Sequence, residues 1–188
     1  MNYFTSGKIH EIQKLVKDHL ADIPLIKSKS SLIKSTLFDV FESYEFLNLY
    51  KSLAFEIAVQ CYGNAINTCV QTSPTPRIFF PESHGTSVHS DYWYGHGLTA
   101  VTIWIPILNS ISGSTFYADH RKVIKNQINK SNFDLEDLKR ISKEISIKDN
   151  EVLPPKSSAF VFESKMFHGS SLNRTNKTRI SFDFRISK

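Results

Sequence analysis

Residues 179–186, RISFDFRI, constrain the fold more than any other stretch of the chain. Side chains alternate across a β-strand, so Ile180, Phe182, Phe184 and Ile186 share one face and Arg179, Ser181, Asp183 and Arg185 share the other. The apolar face needs a second layer to cover it. The polar face admits two arrangements: a solvated sheet edge, or the lining of a polar pocket inside a barrel-like sandwich. TAVTIWIPI, at 99–107, repeats the pattern, with Val101, Ile103 and Ile105 on one side and Thr102 and Trp104 on the other.

The rest of the chain supplies the missing layer. Residues 8–20 place Ile9, Ile12, Leu15, Val16 and Leu20 at helical spacing, and 43–61 do the same with Phe46, Leu49, Tyr50, Leu53 and Ile57. DIPLIKSKSS reads as a connector between them, and Ser6 and Gly7 sit where a helix cap is expected. After residue 70, strand-like runs follow at about 77–80, 86–92, 99–106, 114–118, 157–163 and 178–186. One interruption, 132–145, carries Leu135, Leu138, Ile141 and Ile145 at helical spacing. The expectation is an α+β protein whose sheet curls into a sandwich or barrel with helices as buttress. A length of 188 residues suits a single domain.

Composition narrows the function classes. Cys61 and Cys69 form no CxxC motif and are expected to be reduced and buried. No apolar run approaches the ~20 residues that span a bilayer, and the N-terminus lacks a signal-type apolar region, so no membrane partner and a cytoplasmic setting are expected. The formal net charge of +5 is concentrated in residues 121–188, with fifteen basic and eight acidic side chains. These are scattered and form no nucleic-acid recognition motif. A solvated face, or attraction of small anionic substrates, accounts for them better.

The segment SVHSDYWYGHG, at 87–97, crowds polar and aromatic side chains together. His89 and Asp91 are two positions apart. On a helix that spacing sends them about 200° apart, whereas on a strand both project to one face and can reach one metal ion. His168, in MFHGSS, offers a third ligand. Two histidines and a carboxylate with open positions suit a non-heme Fe(II) oxygenase, and zinc hydrolases use similar ligands.

Downstream, HGSSLNRTNKTRIS places Arg179 eleven residues after His168, with Ser181 on the same strand face. The combination of HSD at 89–91, HGSSLN with a threonine at 168–175, and Arg179 resembles the Fe(II)/2-oxoglutarate-dependent dioxygenases of the phytanoyl-CoA hydroxylase-like superfamily. HSDYWYGHG followed by WIPI is most similar to the subgroup of streptomycin-biosynthesis and sporadic carbohydrate cluster oxygenases. The resemblance covers residues 77–188. It implies a double-stranded β-helix (jelly-roll, cupin-like) core there, with 1–70 as mainly helical support and a helical insertion around 120–146.

The same resemblance implies Fe(II) held by His89, Asp91 and His168, with 2-oxoglutarate and O2 as cosubstrates. Arg179 would hold the distal carboxylate of 2-oxoglutarate, aided by Ser170 and Ser181 and walled by Trp104 or Thr102. Trp93, Tyr94 and His96 fall where a substrate would approach. Arg185 either meets an anionic substrate or pairs with Asp183 or another acid. The implied reaction hydroxylates a small polar metabolite, such as a sugar, nucleotide sugar or aminocyclitol, and releases succinate and CO2. Assembly into an oligomer is compatible with all of this. Two other classes compete: a cupin-like metal-dependent isomerase or hydrolase with no use for Arg179, and a non-catalytic module that keeps the fold.

Overall fold

The computed structural model describes residues 2–119, 151–170 and 172–188. Helices α1 (Gly7–Leu20), α2 (Ser30–Glu42) and α3 (Tyr44–Tyr62) follow a short first strand, β1 (Asn2–Thr5). The strands after them are β2 (Cys69–Val70), β3 (Thr75–Phe79), β4 (Val101–Leu108), β5 (Phe116–Asp119), β6 (Glu151–Val152), β7 (Ser158–Glu163), β8 (Phe167–Ser170) and β9 (Arg179–Ser187). Every strand pair among the described residues is antiparallel. One sheet runs β1-β7-β4-β9-β2, with β3 also on β9, and a second runs β6-β5-β8. The helical insertion expected around 120–146 lies outside the described residues.

The helices form where the apolar spacing places them, and their caps fix the ends. Ser6 accepts from the Lys8 amide at the start of α1, and Ser43 from the Phe46 amide at the start of α3. Each such cap contributes about 1 kcal/mol. Gly63, at φ 77°, ends α3 in the left-handed conformation that glycine adopts without penalty. Ile9, Ile12, Val16 and Leu20 are at most 3% exposed, and burying each contributes roughly 1.5–3 kcal/mol. They pack on the face of the large sheet that carries Ile103, Ile105, Phe182, Phe184 and Ile186. The alternation in RISFDFRI therefore separates two environments, with helices on its apolar side.

The opposite face of the large sheet meets the small one. Trp104 of β4 and Phe160 and Phe162 of β7 form a second cluster with Ala118 of β5 and Val152 of β6. The charged side of β9 is thereby enclosed in a two-layer arrangement, and the solvated-edge alternative does not hold: Arg179 and Ser181 are 1% exposed and Asp183 is 5% exposed.

Several expectations need correction. The run 86–92 is not a strand: only His89 pairs, in an isolated bridge to His168, and Asp91–Tyr94 form a 3-10 turn. Gly95, at φ 89°, closes that turn by donating its amide to the carbonyls of Asp91 and Tyr92. Helix α2 was not expected: it shares only Ser30 and Ser31 with the connector DIPLIKSKSS and occupies the stretch after it. Its stripe of Ile33, Leu37, Val40 and Phe41 has helical spacing, but its start has no side-chain cap. Cys61 and Cys69 are exposed rather than buried, at the end of α3 and on the short β2. Among the described residues no helix is long and apolar enough to cross a membrane.

Candidate metal centre

His168 lies on β8, and His89 exchanges both backbone hydrogen bonds with it, each 2.9 Å. Residues directly opposite in an antiparallel pair share a face, so the two imidazoles come together with ring centroids 4.2 Å apart. Ser90 is extended (φ −118°, ψ 134°) and ties its hydroxyl to the Ser164 carbonyl at 2.8 Å. That one extended residue suffices to send His89 and Asp91 to the same side. Ligand atoms of His89, Asp91 and His168 all lie within 4.8 Å of one another. Asp91 Oδ1 is 3.7 Å from His89 Nε2 and 3.6 Å from His168 Nε2.

Backbone carbonyls fix what those atoms present. His89 Nδ1 is 2.7 Å from the Ser87 carbonyl, and His168 Nδ1 is 2.9 Å from the Met166 carbonyl. A carbonyl only accepts, so in each ring Nδ1 carries the proton. Burial lowers both imidazole pKa values, that of His168 to about 4, so each ring is neutral at pH 7 with its lone pair on Nε2. Burial pushes the Asp91 carboxyl upward, but His168, Arg185 and Thr102 outweigh it and bring it to about 2. Three lone pairs, one on an anion, therefore face one another with no proton between them. A cation among them would relieve that arrangement, and the carbonyl-anchored histidines are the kind that orient metal ligands. The donor set fits a divalent transition metal.

The pocket beside these atoms holds about 390 Å³ of space, part of it open to solvent. Strand register explains who lines it. On β4 and β9, Thr102 faces Arg185 and Trp104 faces Asp183; on β3 and β9, Phe79 faces Arg179 and Arg77 faces Ser181. Arg179 is enclosed here, its guanidinium 4.1 Å from the centre of the Phe79 ring and 6.0 Å from that of Trp104. Its Nη2 donates to Ser170 Oγ at 3.2 Å, its Nε has no partner, and no carboxylate pairs with it among the described residues. Burial, reinforced by Arg77, lowers its pKa to about 9. Ser181 Oγ is likewise buried without a partner among the described residues.

The remaining expected site residues fall in different places. Thr102 donates to Asp91 Oδ2 at 2.6 Å, so its hydroxyl serves the carboxylate of the triad. Of the alternatives open for Arg185, the acid pairing is the one found: it reaches Asp91 at 3.1 and 3.2 Å and Asp183 at 3.4 Å. Tyr94 is 71% exposed and stands edge-on to His89, with centroids 5.5 Å apart. Trp93 packs edge-on against Phe167, and His96 lines a neighbouring surface groove with Gln71 and Arg185.

One charged residue that lines the pocket escaped the sequence reading of the site. Arg77 binds Asp183 through Nε at 2.6 Å and Nη2 at 3.3 Å. In TPRIF the signal for Arg77 was its parity with Thr75 and Phe79, which becomes informative only once β3 is known to pair with β9. Asn173 escaped too. It is 1% exposed and donates to the carbonyls of Phe79 and Lys177, which ties the β8–β9 connection to β3.

No family model matches the chain, and no curated protein sequence matches it. Solved structures do resemble its fold. The non-heme monooxygenase ThoJ superposes with a TM-score of 0.55 at 13% identity, covering 100% of this chain and 73% of that one. SnoK, a non-heme alpha ketoglutarate dependent carbocyclase from nogalamycin biosynthesis, gives 0.53 at 15% identity, covering 73% and 58%. EvdO2 from Micromonospora carbonacea var. aurantiaca, complexed with 2-oxoglutarate, gives 0.53 at 13% identity, covering 83% and 65%. The chain spans 58% of SnoK and 30% of another similar structure, EvdMO1. At these identities the likeness is one of fold.

Proposed function

We propose that this chain is a non-heme Fe(II)- and 2-oxoglutarate-dependent oxygenase, built on a double-stranded β-helix formed by residues 77–188 and buttressed by the helices of 1–70. One observation carries the reading: three unprotonated ligand atoms converge in the same pocket as a buried arginine that no carboxylate pairs among the described residues. The first needs a cation and the second an anion. A 2-oxo acid with a distant second carboxylate satisfies both at once. An isomerase or hydrolase on the same fold would leave Arg179 as a buried charge with nothing among the described residues to neutralise it, which is strongly unfavourable.

His89, Asp91 and His168 would hold the iron, each imidazole oriented by its carbonyl. Arg179 would take the distal carboxylate of 2-oxoglutarate, with Ser170 and Ser181 adding hydrogen bonds and Trp104 walling the pocket. Bound there, Fe(II) supplies the redox chemistry that couples oxidative decarboxylation of 2-oxoglutarate by O2 to oxidation of a substrate C–H bond, releasing succinate and CO2. The protein's share is to orient both partners and limit water. Tyr94, edge-on to His89, would meet the substrate together with Trp93 and His96. A small polar metabolite, such as a sugar, nucleotide sugar or aminocyclitol, suits this polar and aromatic rim. Hydroxylation is the proposed outcome, because Asp91 fills the position a halide would need.

The test is succinate formation from 2-oxoglutarate with Fe(II) and O2, screened against sugars, nucleotide sugars, amino acids and acyl thioesters. Wild type should form succinate, with a rise when the right substrate is present. His89→Ala and Asp91→Ala should reduce it to background. Wild-type rates in His89→Ala would overturn the reading.

A further inference from the structure

The Asp91 carboxylate is held by more than a metal ligand requires. A carboxylate offers about four lone-pair directions. Thr102 Oγ1 fills one on Oδ2 at 2.6 Å, and Arg185 Nε fills the other on Oδ2 at 3.2 Å. Arg185 Nη2 fills one on Oδ1 at 3.1 Å. The direction left is on Oδ1, the atom that faces both Nε2 lone pairs.

We propose that Arg185 is a positioning residue that restricts Asp91 to a single metal-facing oxygen and so keeps a second coordination position free for cosubstrate. This rests on the metal-centre reading above. Without the guanidinium fork, Oδ2 regains a lone pair and the carboxylate can rotate or chelate, taking up a position that the oxo acid or O2 needs. Electrostatics add to the geometry, because the arginine neutralises a carboxylate whose side chain is 2% exposed.

Arg185 is itself fixed. Its Nη1 reaches Asp183 Oδ1 and Gln71 Oε1, both at 3.4 Å, and Asp183 is held on its other side by Arg77. Charges thus alternate from Asp91 through Arg185 and Asp183 to Arg77. The register of β4 on β9 sets Thr102 directly opposite Arg185, so one cross-strand pair supplies all three donors. A lysine could keep the charge but could not form the fork.

Co(II) binding tests this without turnover. Metal-free wild type, Arg185→Gln, Arg185→Lys and Thr102→Val are titrated with Co(II), recording affinity, the visible absorption spectrum and the melting temperature of each apo protein. Arg185→Gln should bind Co(II) about ten- to hundredfold more weakly, with a changed spectrum. Arg185→Lys should recover part of the affinity but not the wild-type spectrum. Thr102→Val keeps the side-chain shape and frees one Oδ2 lone pair, so its spectrum should move in the same sense, and it decides the matter if the Arg185 variants fail to fold. Wild-type affinity and spectrum in the folded variants would overturn the inference alone. A wild type that takes up no Co(II) would overturn the metal centre and the inference with it.

Discussion

Arg179 is the residue whose environment is hardest to explain without a ligand. A guanidinium 1% exposed, with no partner on Nε and no acid beside it among the described residues, destabilises the protein until an anion arrives. Arg179→Met should therefore leave the ligand-free protein as stable as wild type or more so. The same change should weaken 2-oxoglutarate binding by about 2–5 kcal/mol, as expected for truncating one partner of a buried charge pair. Thermal unfolding with and without 2-oxoglutarate checks both halves. A large loss of ligand-free stability with binding intact would reverse the assignment. At this scale much was legible in the sequence. The alternation of RISFDFRI put Arg179 and Ser181 on one face, and the HSD spacing put His89 beside Asp91. The Asp91–Arg185 fork was not legible as such, because its two residues are 94 positions apart and meet only through tertiary folding.

Elements position these residues through a few tight contacts. Gly85 lies in the connection that brings the chain from β3 to His89, and a Cβ there would fall 2.3 Å from the Ser170 carbonyl oxygen. Its lack of a side chain lets the loop lie against β8, where the Ser170 amide donates to the Thr86 carbonyl at 2.9 Å. Gly85→Ala should cost about 1–3 kcal/mol by overpacking. Because Ser170 also holds Arg179, the affinity for 2-oxoglutarate should fall along with stability. Chemical denaturation paired with a binding titration checks this, and an alanine variant equal to wild type in both would contradict the packing. Helices α1 and α3 were readable from their stripes and caps. Strand β8 was not: FHGS is four residues long, and its strand character comes from pairing with β5. The 3-10 turn at Asp91–Tyr94 was hidden because a strand and a turn need the same short polar-aromatic sequence, and only Gly95 betrays the difference.

The molecule as a whole separates stability from chemistry by sheet face, with helices packed on one side of the large sheet and the charged pocket on the other. That separation has a pH signature in the metal-free protein. Folding lowers the His168 pKa from 6.5 to about 4, so its contribution is fully present above pH 6.5. It is lost as pH falls toward 4, because the unfolded chain takes up a proton that the buried ring refuses. The loss is on the order of 3 kcal/mol, and the lowered His89 acts in the same direction. Asp91, depressed from 3.8 to about 2, extends the decline below pH 4. Melting temperatures between pH 7 and 4 should fall for wild type and fall less for His168→Gln, whereas parallel curves would refute the contribution.

The measurement that bears most directly on the proposed function is calorimetric titration of 2-oxoglutarate without O2, with and without Fe(II), into wild type and Asp91→Ala. Wild type should bind 2-oxoglutarate tightly with Fe(II) present and much more weakly without it, and Asp91→Ala should lose the Fe(II)-dependent gain. No binding by wild type with Fe(II), or equal affinity in all four titrations, would contradict a site where one metal centre and one buried arginine share a single ligand.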